Sequence, residues 1–104
     1  MLQPLDGPSK QYKVTIDTTT VRKIEELIGG GAYEERKVIT LQPLSGRIRV
    51  YFGDGDSTPS AATVGDDGLL HYNKSKESYE ATYSQDVFIL AESGTVDVIV
   101  IERA

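Results

Sequence analysis

Asp54, Asp56, Asp66 and Asp67 form the one carboxylate cluster of the sequence, and oxygen-ligand metal chemistry is the first possibility they raise. Gly53-Asp54-Gly55-Asp56 looks superficially like the start of a calcium loop. It lacks the spaced third ligand, and it lacks the closing Glu that follows the invariant Gly of an EF-hand. Asp-Gly pairs are also the ordinary chemistry of tight turns, and these are read as turn residues. His71 is the single histidine. A zinc site built on it needs two carboxylates to converge there, so it is read as a surface or rim residue. Nucleophilic chemistry finds no support either. No serine stands in a Gly-x-Ser-x-Gly elbow, and Ser45-Gly46 and Ser93-Gly94 read as turns. The triplet Gly29-Gly30-Gly31 lacks the Lys-Ser/Thr of a phosphate loop. The expected catalytic, cofactor-binding and metal-binding residues are therefore none.

Tyrosine use is skewed: six tyrosines stand against two phenylalanines and no tryptophan. Tyr12, Tyr51, Tyr72, Tyr79 and Tyr83 fall on or beside expected strands. Tyrosine suits positions with one end buried and the other wet, at core edges, interfaces or sugar-binding faces.

The elements that hold these residues are strands. Gln11 to Asp17 alternates, with Tyr12, Val14 and Ile16 on one side and Gln11, Lys13 and Thr15 on the other. Ile48, Val50 and Phe52 alternate with Arg47, Arg49 and Tyr51. Tyr79, Ala81 and Tyr83 share a face. Val87 to Ala91 and Thr95 to Glu102 are rich in β-branched residues and flank Glu92-Ser93-Gly94, which predicts a terminal hairpin. Arg36 to Leu44 reads as another strand. Its short Pro-Leu-Ser-Gly connection predicts that it lies antiparallel beside Arg47 to Phe52. Val21 to Ile28 reads as a loop or one helical turn. It is the only expected helix, so helix should hold less than about a tenth of the chain. Gly53 to Gly68 reads as a long irregular loop, either functional or mobile. Ile48, Val50, Phe52, Val96, Val98 and Val100 are the expected core.

Seven or eight short strands in 104 residues define an all-β, single-domain antiparallel β-sandwich or jelly-roll-like barrel. Residues 1–10, with Pro4, Gly7 and Pro8, are read as an extended N-terminal arm, and residues 11–104 as the sandwich. That arm has no apolar run of the kind a secretory signal carries, and no stretch approaches the ~18 apolar residues of a membrane span. There are no cysteines, so disulfides and thiolate metal sites are excluded. A net charge of −5 argues against direct binding to nucleic acid.

From Arg36 to the C-terminus the chain resembles small virion proteins of tailed bacteriophages. The residues that carry the resemblance are Arg36-Lys37-Val38-Ile39, Val50-Tyr51-Phe52-Gly53, Gly68-Leu69-Leu70, Asp86 to Ala91, and Ser93-Gly94-Thr95-Val96-Asp97-Val98 through Glu102. They are strand and turn signatures, and the long Gly53–Gly68 loop departs from the short turn of the usual pattern. The resemblance implies a non-enzymatic virion structural protein without cofactors, most simply a capsid decoration or cement protein. Its expected partners are the major capsid protein or other virion subunits, and copies of itself, with a trimer favoured. Its expected place is the virion, assembled in the host cytoplasm. The alternative is a ligand-binding β-module, tail- or fibre-associated, for glycans or a host surface. It would use the tyrosines and the acidic loop.

Overall fold

The computed structural model describes residues 9–27, 35–53, 57–82 and 84–104. Strict alternation makes the first and last strands partners. β1 (Ser9–Ile16) runs antiparallel to β8 (Val96–Arg103) over its whole length, from Ser9 opposite Arg103 to Ile16 opposite Val96. Moving inward along the chain, the pattern repeats. β2 (Arg22–Lys23) pairs with β7 (Val87–Ala91), β3 (Val38–Pro43) with β6 (Glu77–Glu80), and β4 (Ile48–Phe52) with β5 (Leu69–His71). The chain is thus one long antiparallel ribbon doubled back at its middle. Winding that ribbon places alternate strands in different sheets, and the β3–β8 and β4–β7 pairings close it. The two sheets have the orders β1-β8-β3-β6 and β2-β7-β4-β5. This is the eight-stranded jelly roll, so the expected all-β sandwich stands.

The core lies between the sheets. Val14, Ile16, Ile39, Leu41, Val96, Val98 and Val100 on the first sheet meet Ile48, Val50, Val87, Ile89 and Ala91 on the second. Five of the six expected core residues are buried, and Phe52 is partly buried at the margin. Period-two facing is obeyed by β8, whose residues alternate strictly between buried and partly exposed.

Four expectations are corrected. The terminal hairpin is an arch: β7 and β8 lie in different sheets, and residues 92–95 cross between them. Crossing lets the inner face of β7 pack onto the inner face of β8, where a hairpin would set them side by side. Likewise β3 and β4 are not neighbours. Leu44 N still donates to Asp97 O, and the chain then passes to the other sheet, where Glu92 N donates to Arg47 O and ties the two arches together. Ser9 and Lys10, expected in the arm of residues 1–10, belong to β1; residues 1–8 lie outside the described residues.

The last correction concerns helix, which holds 13% of the described residues against 48% strand. The expected single turn is present as α1 (Ile24–Leu27). The excess is α2 (Ala61–Asp67), inside the segment read as irregular. Ser60 caps it, its Oγ accepting from Thr63 N at 3.1 Å. It ends at Gly68, whose backbone is extended and whose N–H donates back to Val64 O at 2.9 Å; glycine is needed there, since a Cβ would lie 2.5 Å from that oxygen. α2 packs on the outer face of the second sheet, against β4 and β7. Val64, Phe88 and Leu90 are buried there, outside the main core cluster. That explains why all five β7 residues are buried: one face meets the core and the other meets α2.

Candidate functional site

The residues singled out by their chemistry are dispersed. Asp54, Asp56 and Tyr83 lie outside the described residues. Asp66 and Asp67 are exposed in the last turn of α2. Among the described residues, no group of three or more His, Asp or Glu side chains could hold a metal ion. Among them too, no helix is long and apolar enough to cross a membrane. Tyr72 is 59% exposed beside the edge of β5, while Tyr12 and Tyr79 pack against the core margin.

His71 is buried, which corrects its reading as a surface or rim residue. The cause is topological. β5 is an edge of one sheet and β6 an edge of the other, and His71 faces the seam between them. Its Nε2 lies 2.9 Å from Glu77 Oε2, off the line of a good hydrogen bond, and Nδ1 has no partner among the described residues. Tyr79 donates to the same Glu77 oxygen at 3.1 Å and stacks at a tilt on His71, with ring centroids 5.6 Å apart. Phe52 meets Tyr79 edge-on at 5.3 Å. Burial pushes the Tyr79 hydroxyl up to about 12, with Glu77 adding to it. Burial also holds the His71 imidazole below its usual 6.5, against the pull of Glu77.

The sign of the pH effect follows. Below pH 6.5 the unfolded chain takes up a proton at His71 before the folded one does. Stability is therefore complete above 6.5 and falls as the pH drops toward the lowered native value, by at most about 1.4 kcal/mol per pH unit for one proton. We expect His71→Gln to flatten this slope between pH 7.5 and 5.5, measured as the difference in urea midpoint from wild type. Parallel profiles for the two proteins would show that His71 does not titrate differently on folding.

Arg36 is the group that sequence reasoning missed. It precedes β3, is only 1% exposed, and makes a closed set of contacts. Its guanidinium donates to Glu102 Oε2 at 2.9 Å, to the carbonyls of Ala81, Thr82 and Gln85 at 2.9, 2.8 and 2.9 Å, and weakly to Glu25 at 3.5 Å. Burial raises the Glu25 carboxyl above its usual range, and Arg36 opposes that rise. One signal was present in the sequence. Glu102 is in phase with Val96, Val98 and Val100, so it had to point inward and needed a cation there. Outside this cluster a shallow recess of about 490 Å³ is lined by Lys37, Val38, Glu80, Ala81, Thr82 and Gln85.

The two outer sheet faces differ. The second sheet is covered by α2. The outer face of the first carries no described element, and its central strand presents Asp97, Ile99, Ile101 and Arg103, all partly exposed. Beside them stand Val38, Thr40 and Gln42 of β3, and Gln11, Lys13 and Thr15 of β1 line the edge. An apolar centre with a polar and charged rim is the composition of a protein-protein contact. Comparison with protein-family models, curated proteins and solved structures gives no match for the chain.

Proposed function

We propose that this chain is a non-enzymatic structural protein of a bacteriophage virion, most simply a capsid decoration protein that binds the head shell as a homo-oligomer. The observation that carries this reading is the asymmetry of the sandwich. Among the described residues, α2 covers the outer face of one sheet and no element covers that of the other, which carries Ile99 and Ile101 at its centre. Polar chemistry in the interior is committed to closure, with Arg36 sealing one end and His71 with Glu77 the seam. The resemblance of Arg36 to Glu102 to small virion proteins supplies the particle as the setting. The eight-residue edge strand β1 offers backbone groups for pairing with a neighbour, and residues 1–8 lead directly into it.

The test is mass spectrometry of purified particles, intact and separated into heads and tails. The expected result is recovery of the protein with heads at a fixed copy number, and rebinding of purified protein to stripped heads. Its absence from both fractions ends the reading. The glycan-binding alternative rests on Tyr72 and Leu69, which are 59% and 51% exposed at β5. Glycan binding abolished by Tyr72→Ala, without any particle association, would put that alternative first.

A further inference from the structure

The outward row of β8 has a pattern with consequences for self-assembly. It reads Asp97, Ile99, Ile101, Arg103, with opposite charges at its ends and identical apolar residues between them. β8 is an inner strand, so this row runs through the body of the open face. We propose that this face packs on the same face of a second copy, across a two-fold axis that lies between the two sheets and crosses β8 at Val100. The proposal rests on the homo-oligomer part of the reading above and names its contact.

Rotation about such an axis reverses the strand. It sets Ile99 opposite the partner's Ile101 and Asp97 opposite the partner's Arg103, and the same again in the other direction. At about 3.4 Å per residue the two isoleucines lie ~7 Å apart and the two charges ~20 Å apart, which spans the sheet. The adjoining strand obeys the same operation. Gln42 comes opposite the partner's Thr40, two uncharged polar residues able to meet without repulsion. On β1, Lys13 comes opposite the partner's Gln11, so no like charges meet. Facing sheets pack about 10 Å apart at roughly 30°, and the length of the Arg103 side chain covers the divergence at the ends.

The charged ends are only partly engaged within the chain. Asp97 accepts from Thr15 Oγ1 at 2.6 Å and has Lys13 Nζ at 3.8 Å. Arg103 reaches Thr40 Oγ1 at 3.5 Å, and its Nε is shielded from solvent with no partner among the described residues. The terminal nitrogens of the guanidinium are the atoms that an incoming carboxylate can meet with two hydrogen bonds. Isologous contacts of this kind close at two copies, whereas the trimer favoured by resemblance needs a heterologous contact.

Sedimentation equilibrium of the full chain and of two single variants tests this. Wild type is expected to dimerise. Asp97→Arg sets Arg against Arg across the axis, and Arg103→Asp sets Asp against Asp, so each variant alone should dimerise at least tenfold more weakly. An equal mixture of the two restores both opposite-charge pairs and should regain a dimer holding one copy of each. That gain cannot come from a change in folding. A wild type that stays monomeric, or a mixture no more associated than its folded components, overturns the proposal. Should a variant fail to fold, an NMR dilution series on wild type decides. Shifts concentrated on Val38, Ile99 and Ile101 support the contact, and shifts confined to the free edge of β1 or to α2 overturn it. A dimer that never associates with particles leaves this contact standing and removes the virion reading. A particle-bound protein indifferent to the charge exchanges does the reverse.

Discussion

Arg36→Met is expected to cost about 3–5 kcal/mol, which is a large share of the ~5–15 kcal/mol that holds a domain of this size. The side chain that remains is apolar and of similar length, so packing is nearly kept. What is lost is the counter-charge of Glu102, which is fully buried and 2.9 Å from the guanidinium. The carboxylate then stays buried without the guanidinium, or takes up a proton. Three carbonyls, of Ala81, Thr82 and Gln85, lose their donor in the same step. Glu102→Leu leaves the cation with only the weak contact to Glu25 as counter-charge, and a substantial loss is again expected. In the double variant Arg36→Met/Glu102→Leu, neither member of the fully buried pair is left without the other. It should recover much of the loss but not all, because the three carbonyls still lack a donor. Urea midpoints of the four proteins give the coupling energy, and amide exchange between Ala81 and Asp86 gives the local part. If the single and double variants lose stability additively, the pair is not a unit. If Arg36→Met costs less than about 1 kcal/mol, the closure described here does not hold that end of the sandwich.

The same residue marks where the sequence was legible and where it was not. Facing was legible, because a strand has a period of two and the inward set is apolar. Tyr12, Val14 and Ile16, Ile48 and Val50, and Val96, Val98 and Val100 all face the core as their alternation predicts. Followed two residues further, the same alternation reaches Glu102 and requires a buried cation. It does not say which one, since Arg36 lies 66 residues away along the chain. Pairing was less legible than facing. Residues 92–95 and 44–47 are short enough for hairpins, and only the packing of inner face on inner face turns them into arches. α2 was hidden by its composition. Its seven residues carry one large apolar side chain, Val64, so no 3.6-residue period can show. Ser60 was its one local signal, as a cap before Ala61-Ala62. His71 was misplaced because sequence cannot say that β5 and β6 border one seam from opposite sheets.

Phe88→Ala is expected to cost about 3–5 kcal/mol, although Phe88 lies on the outer face of its sheet. Outward residues of a sandwich ordinarily tolerate truncation, but this ring is only 2% exposed because α2 and Gly53 enclose it. The loss should be local before it is global. Amides of Ala61 to Asp67 should exchange faster in the variant, while those of β3 and β8, in the other sheet, keep their relative protection. A second substitution makes the argument specific to the ring. A Cβ added at Gly53 would lie 2.5 Å from Phe88 Cε2, so Gly53→Ala alone must displace a packed aromatic. In the Phe88→Ala background that obstacle is gone, and the new methyl group enters the space the ring has left. Gly53→Ala should therefore destabilise wild type clearly and the truncated protein little or not at all. The two losses should fall short of additivity by an amount on the order of 1 kcal/mol or more, as expected for residues in direct contact. Strict additivity in urea unfolding would mean that Phe88 does not rest on Gly53. A Phe88→Ala protein of unchanged stability would mean that α2 does not cover this face, and the second sheet would then be as open to partners as the first.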